Sequence, residues 1–344
     1  MATTATGAAI TGQAAQTAAP TISTTAALNG AVVVRLSTTT SGATIHYTVD
    51  GSTPGASSQI YQAPFLVASN LTVKAVAEAS GNAVSSVASK TFDLGIPSGT
   101  LVWSDEFTNA TGADAQPDPR VWTYEASSNP GEEDYCAWGS NTATCSTASP
   151  NAYVGADGFL HIVARKTSSG VVTSARIKTQ GLLSLQYGRI EARIKLPESQ
   201  GMWPAFWLLD NNAAAVNTPP ELDVMEHIDG NNPSNEGYDW VQATIHGPGL
   251  IHATQYARFG FSAAAWHIYG MIWSKGKIQF YVDKPSRIYA TFKPSTQAGA
   301  WPFDNGLEYV ILDLAVGGNW PGRPNAATPF PSEMLIDYVR VFTN

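Results

Sequence analysis

An all-β fold is predicted, built as one large β-sandwich over residues 100–344 and preceded by a small β-sandwich module over residues 20–95. Three observations carry this. Short Val-, Ile- and Thr-rich runs alternate apolar and polar residues, the period of a half-buried strand, and Gly, Pro, Asn and Asp punctuate them. Almost nothing recurs at the spacing of a long amphipathic helix. Composition also breaks near residue 100: the residues before it carry six charges and no tryptophan, whereas all ten tryptophans lie after it. Gly95, Pro97 and Gly99 stand at the break and mark a domain boundary.

Residues 1–19 are mostly Ala, Thr, Gly and Gln, with no basic or apolar signal region, and are expected to form a flexible leader without a visible targeting signal. In the module, the runs Ala31–Leu36, Thr44–Val49, Leu71–Val76 and Val84–Phe92 read as strands in an immunoglobulin- or fibronectin-like pattern. An Asp50-Gly51 turn joins two of them, and Pro54 cannot continue a ladder. Ala43–Tyr61, ATIHYTVDGSTPGASSQIY, resembles the module found at the C-terminal end of chitobiase-type and other secreted glycosidases. That resemblance covers about residues 20–94 and implies a spacer or a carbohydrate binder.

In the large part, strands are expected at Phe159–Arg165, Gly188–Lys195, Met202–Leu209, Trp240–His246, Trp266–Trp273, Lys277–Val282, Tyr309–Val316 and Met334–Phe342. So many evenly spaced strands suit a single sandwich whose concave sheet takes an extended ligand. Cys136 and Cys145, nine positions apart, are expected to form a disulfide that closes a short loop in an oxidising compartment, with two free thiols as the alternative.

Charge removes whole classes of function. The balance is 19 Lys and Arg against 27 Asp and Glu, a net −8 with scattered cations, which is not the footprint of a nucleic-acid binder. No run approaches about 18 apolar residues, so no membrane insertion is expected. With 44% apolar residues the chain can bury a core, which excludes wholesale disorder. Ten tryptophans among so few charges suit an uncharged partner with flat C–H faces, and carbohydrate fits that description.

The segment Glu221-Leu222-Asp223-Val224-Met225-Glu226 is the most informative. Strand alternation puts Glu221 and Asp223 on one face and Leu222 and Val224 on the other. Glu226, five positions from Glu221, would turn into the core unless a one-residue bulge at Val224 or Met225 returns it to the acidic face. Two glutamates leaning together can bring their carboxyls to about 5–6 Å, a gap that suits the roughly 5–5.5 Å of a retaining glycosidase. Three carboxylates on one face repel one another, so at least one holds its proton near neutral pH, as a general acid must. The plain alternative is a solvated acidic strand or a cation site.

This segment, with Gly201-Met202-Trp203-Pro204-Ala205-Phe206-Trp207-Leu208-Leu209 before it, resembles the laminarinase-like branch of glycoside hydrolase family 16. Further matches are Trp103–Phe107 (WSDEF), Tyr187–Arg193 (YGRIEAR), Ala315–Gly322 (AVGGNWPG) and Ile336–Val341 (IDYVRV). The resemblance spans about residues 101–343 and implies a β-jelly roll that acts as a retaining endo-β-1,3-glucanase on β-glucan, needing no cofactor for catalysis. It makes Glu221 the nucleophile, Glu226 the general acid/base and Asp223 the carboxylate that orients Glu221. It further implies substrate contacts from Trp203, Trp207, His246, Arg189 and Glu132, the last in a loop with Tyr135 where Pro130 and Gly131 replace the usual asparagines. For His246 a structural role is the alternative, and for Arg189 a salt bridge.

A structural Ca²⁺ is implied through the backbone oxygens of Glu106 and Gly158 and the carboxylate of Asp337, with an ion-free strand end as the alternative. A secreted, monomeric enzyme is expected. Cleavage of mixed-linkage β-1,3-1,4-glucan or of a galactan on the same residues is the alternative activity, and a non-catalytic β-glucan-binding protein the alternative class.

Overall fold

The computed structural model describes residues 14–109, 111–128, 134–137, 139–142, 144–212, 218–228, 240–249, 251–258, 262–297 and 299–344. The chain packs into two compact units. One holds the described residues up to Ser23 with 35–61 and 70–93, the other 24–34, 62–69 and 94–344.

The first unit contains a four-stranded antiparallel sheet in the spatial order Gln59–Ile60, Thr44–Thr48, Leu71–Glu78, Ala88–Phe92. Alternation works as expected: Ile45 and Tyr47 are buried, as are Val73, Ala75 and Ala77. Gly51 takes a positive φ of 79° in the predicted turn, a conformation that Gly adopts without steric cost. Two expectations are corrected. The strand expected from Val84 begins at Ala88, because the Ser85 hydroxyl and amide bond the backbone of Ala77, leaving Val84 and Val87 exposed. Of the leader only residues 14–19 are described, and these are tied down: Thr17 N–H donates to Ala83 O and Ala83 N–H to Ala15 O, both at 2.9 Å, and Thr17 is buried.

In the second unit two antiparallel-dominated sheets enclose one core, a β-jelly-roll sandwich. Residues 62–69 join it because Leu66 N–H donates to Ser184 O, Ser184 N–H donates to Pro64 O, and the Leu66 side chain enters its core. The smaller sheet has seven strands: β1 (Thr123–Glu125), β2 (Arg176–Lys178), β3 (Met202–Asp210), β4 (Glu221–Glu226), β5 (Trp240–Gly247), β6 (Ile251–Arg258) and β7 (Glu308–Val316). Their spatial order is β6-β5-β4-β3-β7-β2-β1, antiparallel throughout.

The eleven-stranded sheet is centred on Gly188–Lys195, between Ser332–Phe342 and His267–Ser274. Phe206, Leu208, Leu222, Ile245, Leu312 and Leu314 of the smaller sheet meet Ile190, Ala192, Ile194, Met271, Phe280 and Val339 of the larger, all fully buried. Each such large side chain contributes about 1.5–3 kcal/mol by leaving water. The alternate positions of β3, β4 and β5 face away from this core, and the polar residues there form the site. Among the described residues no helix is long and apolar enough to cross a membrane.

Candidate active site

The bulge that the sequence requires is present in β4. Against β3, Phe206 faces Met225 and Trp207 faces Asp223, so Val224 is the extra residue. Against β5, Asp223 faces Thr244 and Glu226 faces Gln242, so Val224 and Met225 together oppose one residue. Both insert into the core, and the chain returns Glu226 to the face of Glu221 and Asp223.

Register then lays a polar row across the sheet. From β5 to β1 it reads Gln242, Glu226, Ala205, Asp313, Arg176, Glu125, with only the methyl of Ala205 between the carboxyls of Glu226 and Asp313.

Glu226 is buried and accepts three hydrogen bonds: Trp203 Nε1 donates to Oε1 at 3.0 Å, while Gln242 Nε2 and Thr244 Oγ1 donate to Oε2 at 2.8 and 3.4 Å. Burial nevertheless raises its pKa above the usual carboxylate range, and the charge of Asp313 adds to the rise. Burial likewise drives Glu221 up to about 7, helped by the charge of Glu226 and opposed by a hydrogen bond with Asp223 and by the charge of Arg176. Asp223 is pushed up furthest, first by burial and then by Glu226 and Glu221. The Asp223–Glu221 hydrogen bond raises the pKa of Asp223 and lowers that of Glu221, which favours the shared proton on Asp223.

His246 Nε2 lies 3.0 Å from Asp223 Oδ2 and 3.7 Å from Glu221 Oε1, and burial with the neighbouring His252 lowers the imidazole pKa to about 4. Near neutral pH it is therefore uncharged.

On the other flank Trp207 Nε1 donates to Asp313 Oδ1 at 2.7 Å, and Asp313 Oδ2 accepts from Arg176 Nη2 and Tyr135 Oη, each at 3.3 Å. Arg176 also pairs with Glu125 at 3.0 Å, and its guanidinium lies 5.5 Å from the Trp207 ring centroid. Trp203 meets Trp320 edge to face at 5.0 Å. The arrangement offers two half-buried indoles beside a pair of glutamates, one of them fed by neutral donors and the other hydrogen-bonded to a second carboxyl.

The structure thus brings together Glu221, Asp223, Glu226, Trp203, Trp207 and His246. Cys136 and Cys145 are disulfide-bonded. Arg189 is a correction. It sits in the central strand of the other sheet, where Ile190, Ala192 and Ile194 take the core side, so Arg189 faces away from the cleft. There it donates to Glu191 and stacks 3.6 Å from the Phe342 ring centroid. Glu132 lies outside the described residues.

Of the calcium set, Asp337 Oδ2 accepts from Arg193 at 2.7 Å and the Glu106 carboxylate is held by Arg340. One carboxylate already neutralised by an arginine falls short of the six to eight oxygens that Ca²⁺ takes, and no chemistry here runs through that ion.

Sequence reasoning passed over Asp313, Arg176, Gln242 and Trp320. A lone Asp inside the apolar run Tyr309–Val316 was a usable signal, as was the i, i+2, i+4 series Gln242, Thr244, His246.

Comparison with known proteins agrees with this geometry. Residues 138–340 match the sequence profile described as glycosyl hydrolases family 16, and residues 34–92 match one described as Fn3 associated. A beta-glucanase of Rhodothermus marinus is 33% identical over 266 residues, covering 72% of this chain and 86% of that protein. A glucan endo-1,3-beta-glucosidase A1 of Niallia circulans is 32% identical over 73% of this chain, which spans 39% of that protein's length. The crystal structure of the laminarinase catalytic domain from Thermotoga maritima superposes with a TM-score of 0.60 at 32% identity, covering 72% of this chain and 99% of that one.

Proposed function

The chain belongs to glycosyl hydrolases family 16 and is a glycoside hydrolase; on that premise we propose that it is a retaining endo-β-1,3-glucanase with Glu221 as nucleophile and Glu226 as general acid/base. The observation that carries this reading is the asymmetric environment of the two glutamates across the β4 bulge. Glu226 is desolvated, which raises its pKa, and with Trp203 and Gln242 fixing its two oxygens it is the group placed to give a proton to the leaving oxygen. Glu221 shares a hydrogen bond with Asp223 that lowers its pKa and so favours the ionised form that attacks the anomeric carbon.

In the first step the C1–O bond breaks, Glu226 gives its proton to the departing hydroxyl, and Glu221 forms the glycosyl ester. In the second, Glu226 takes a proton from water, which displaces Glu221 and restores the starting state. Trp203 and Trp207 stack on sugar C–H faces, and neutral His246, 3.0 Å from Asp223, hydrogen-bonds a sugar hydroxyl.

The disulfide supports secretion. The Fn3-associated module, whose chitobiase-like label rests on Ala43–Tyr61, serves as a spacer or glucan binder.

The test is the anomeric configuration of the first product from laminarin, followed by proton NMR. The β anomer is expected from the wild type. Glu221→Ala in azide should give an α-glycosyl azide and Glu226→Ala a β-glycosyl azide. An α product from the wild type, or more than a few per cent activity in Glu221→Gln, overturns the assignment.

A further inference from the structure

Glu221, Asp223 and His246 each offer one ligand atom, and these atoms all lie within 4.8 Å of one another. His246 Nε2 stands 3.0 Å from Asp223 Oδ2 and 3.7 Å from Glu221 Oε1. Ligand atoms bound at about 2.0–2.2 Å in a tetrahedron stand roughly 3.3–3.6 Å apart. The two observed separations bracket that range, so a few tenths of an ångström of side-chain movement would complete a coordination sphere.

A second observation points the same way. Asp223 is only 4% exposed, yet its Oδ2 receives no hydrogen bond, and the atom it faces is a ring nitrogen. The other nitrogen of that ring, Nδ1, is 3.1 Å from His252 Nδ1. A ring anchored through Nδ1 presents Nε2 to the carboxylates, the way a metal-ligating histidine is commonly fixed from behind.

We propose that this cluster is an inhibitory site for a borderline divalent cation, Zn²⁺ or Cu²⁺. One imidazole nitrogen with two carboxylate oxygens suits those ions. Ca²⁺ and Mg²⁺ are disfavoured, since both call for all-oxygen shells with more ligands than the cluster supplies. A cation bound there displaces to solvent the proton shared by Asp223 and Glu221, occupies the oxygen of Glu221 and shuts the cleft to the sugar. That inhibition rests on the function proposed above, whereas binding of the cation does not.

The experiment is calorimetric titration of the metal-free full chain with zinc chloride, alongside the visible absorption of added Co²⁺. One equivalent of bound metal and the intense bands of a low-coordinate Co²⁺ centre are expected. His246→Gln and Asp223→Asn should each weaken binding by at least about tenfold and remove the bands. His161→Gln should leave both unchanged, although His161 also sits between two carboxylates, Asp157 and Glu333. On laminarin, Zn²⁺ should raise KM at constant kcat, reversibly with a chelator. Absence of stoichiometric binding, or equal binding by His246→Gln, overturns the site. Binding without competitive inhibition overturns its inhibitory role. A wild type that binds zinc but hydrolyses no laminarin refutes the glucanase reading and leaves the site standing.

Discussion

Replacing Glu221 by Gln should make the protein more stable, and only above the pH at which an ordinary glutamate ionises. Burial and the charge of Glu226 carry the Glu221 carboxyl from 4.5 to about 7. A folded-state pKa above the unfolded one means that the native chain holds the proton more tightly. Stability from this group is therefore complete below about pH 4.5 and is lost as pH rises to about 7. At about 1.4 kcal/mol per tenfold change in proton affinity, that rise corresponds to roughly 3 kcal/mol at and above neutrality. The glutamine variant never ionises, so it escapes the loss and also relieves the repulsion on Glu226 and Asp223.

In scanning calorimetry the variant and the wild type should melt together near pH 4. The gap should open between pH 4.5 and 7 and level off at a gain of about 5–10 °C for a domain of this size. A gap independent of pH, or a variant less stable than the wild type at pH 8, would refute the claim that the acidic face stores repulsion. The gain should accompany loss of turnover, the exchange of stability for activity typical of a strained active site.

Two further outcomes follow from the same contacts. Trp203→Phe keeps an aromatic ring but removes the N–H that donates to Glu226 Oε1, a bond that favours the ionised form; the alkaline limb of the kcat/KM profile should therefore move to higher pH, and an unmoved limb would show that this bond does not tune the acid. Asp313→Asn should cost about 3 kcal/mol in urea unfolding, because it takes the charge from a buried partner of Arg176 while Glu125 still pairs with the arginine; it should also raise KM more than it lowers kcat, since the Trp207 indole loses a charged acceptor.

How much of this was legible depended on whether the signal was local. Strand alternation marked β3, β4, β5 and β7 because each has one face in the core, so inward and outward residues separate at period two. The bulge was legible because a five-residue spacing contradicts that period, and only an inserted residue reconciles it. Arg189 shows the limit. Alternation told which way its strand faces, with Ile190 and Ala192 inward, but not which of two sheets the strand belongs to. Asp313 was hidden for the opposite reason: its neighbours Leu312 and Leu314 are core residues, and the run read as one apolar strand. Residues 62–69 carried no compositional sign of joining the second unit, since their bonds to Ser184 span more than a hundred positions.

The row from Gln242 to Glu125 exists only once six strands are in register, and it supplies a physical basis for the division of labour between the two glutamates. Its one cation, Arg176, stands at the β2 end, where Glu125 and Asp313 hold it and its charge lowers the pKa of Glu221. At the β5 end Glu226 has neutral donors, and the charge of Asp313 adds to the rise that burial gives its pKa. Residue type is the same at both positions, and so is the desolvation that dominates each. What differs is the partner: Asp223 and the charge of Arg176 favour the ionised form of Glu221, as the proposed nucleophile requires, whereas Glu226 has neutral donors and, among the described residues, no cation beside it.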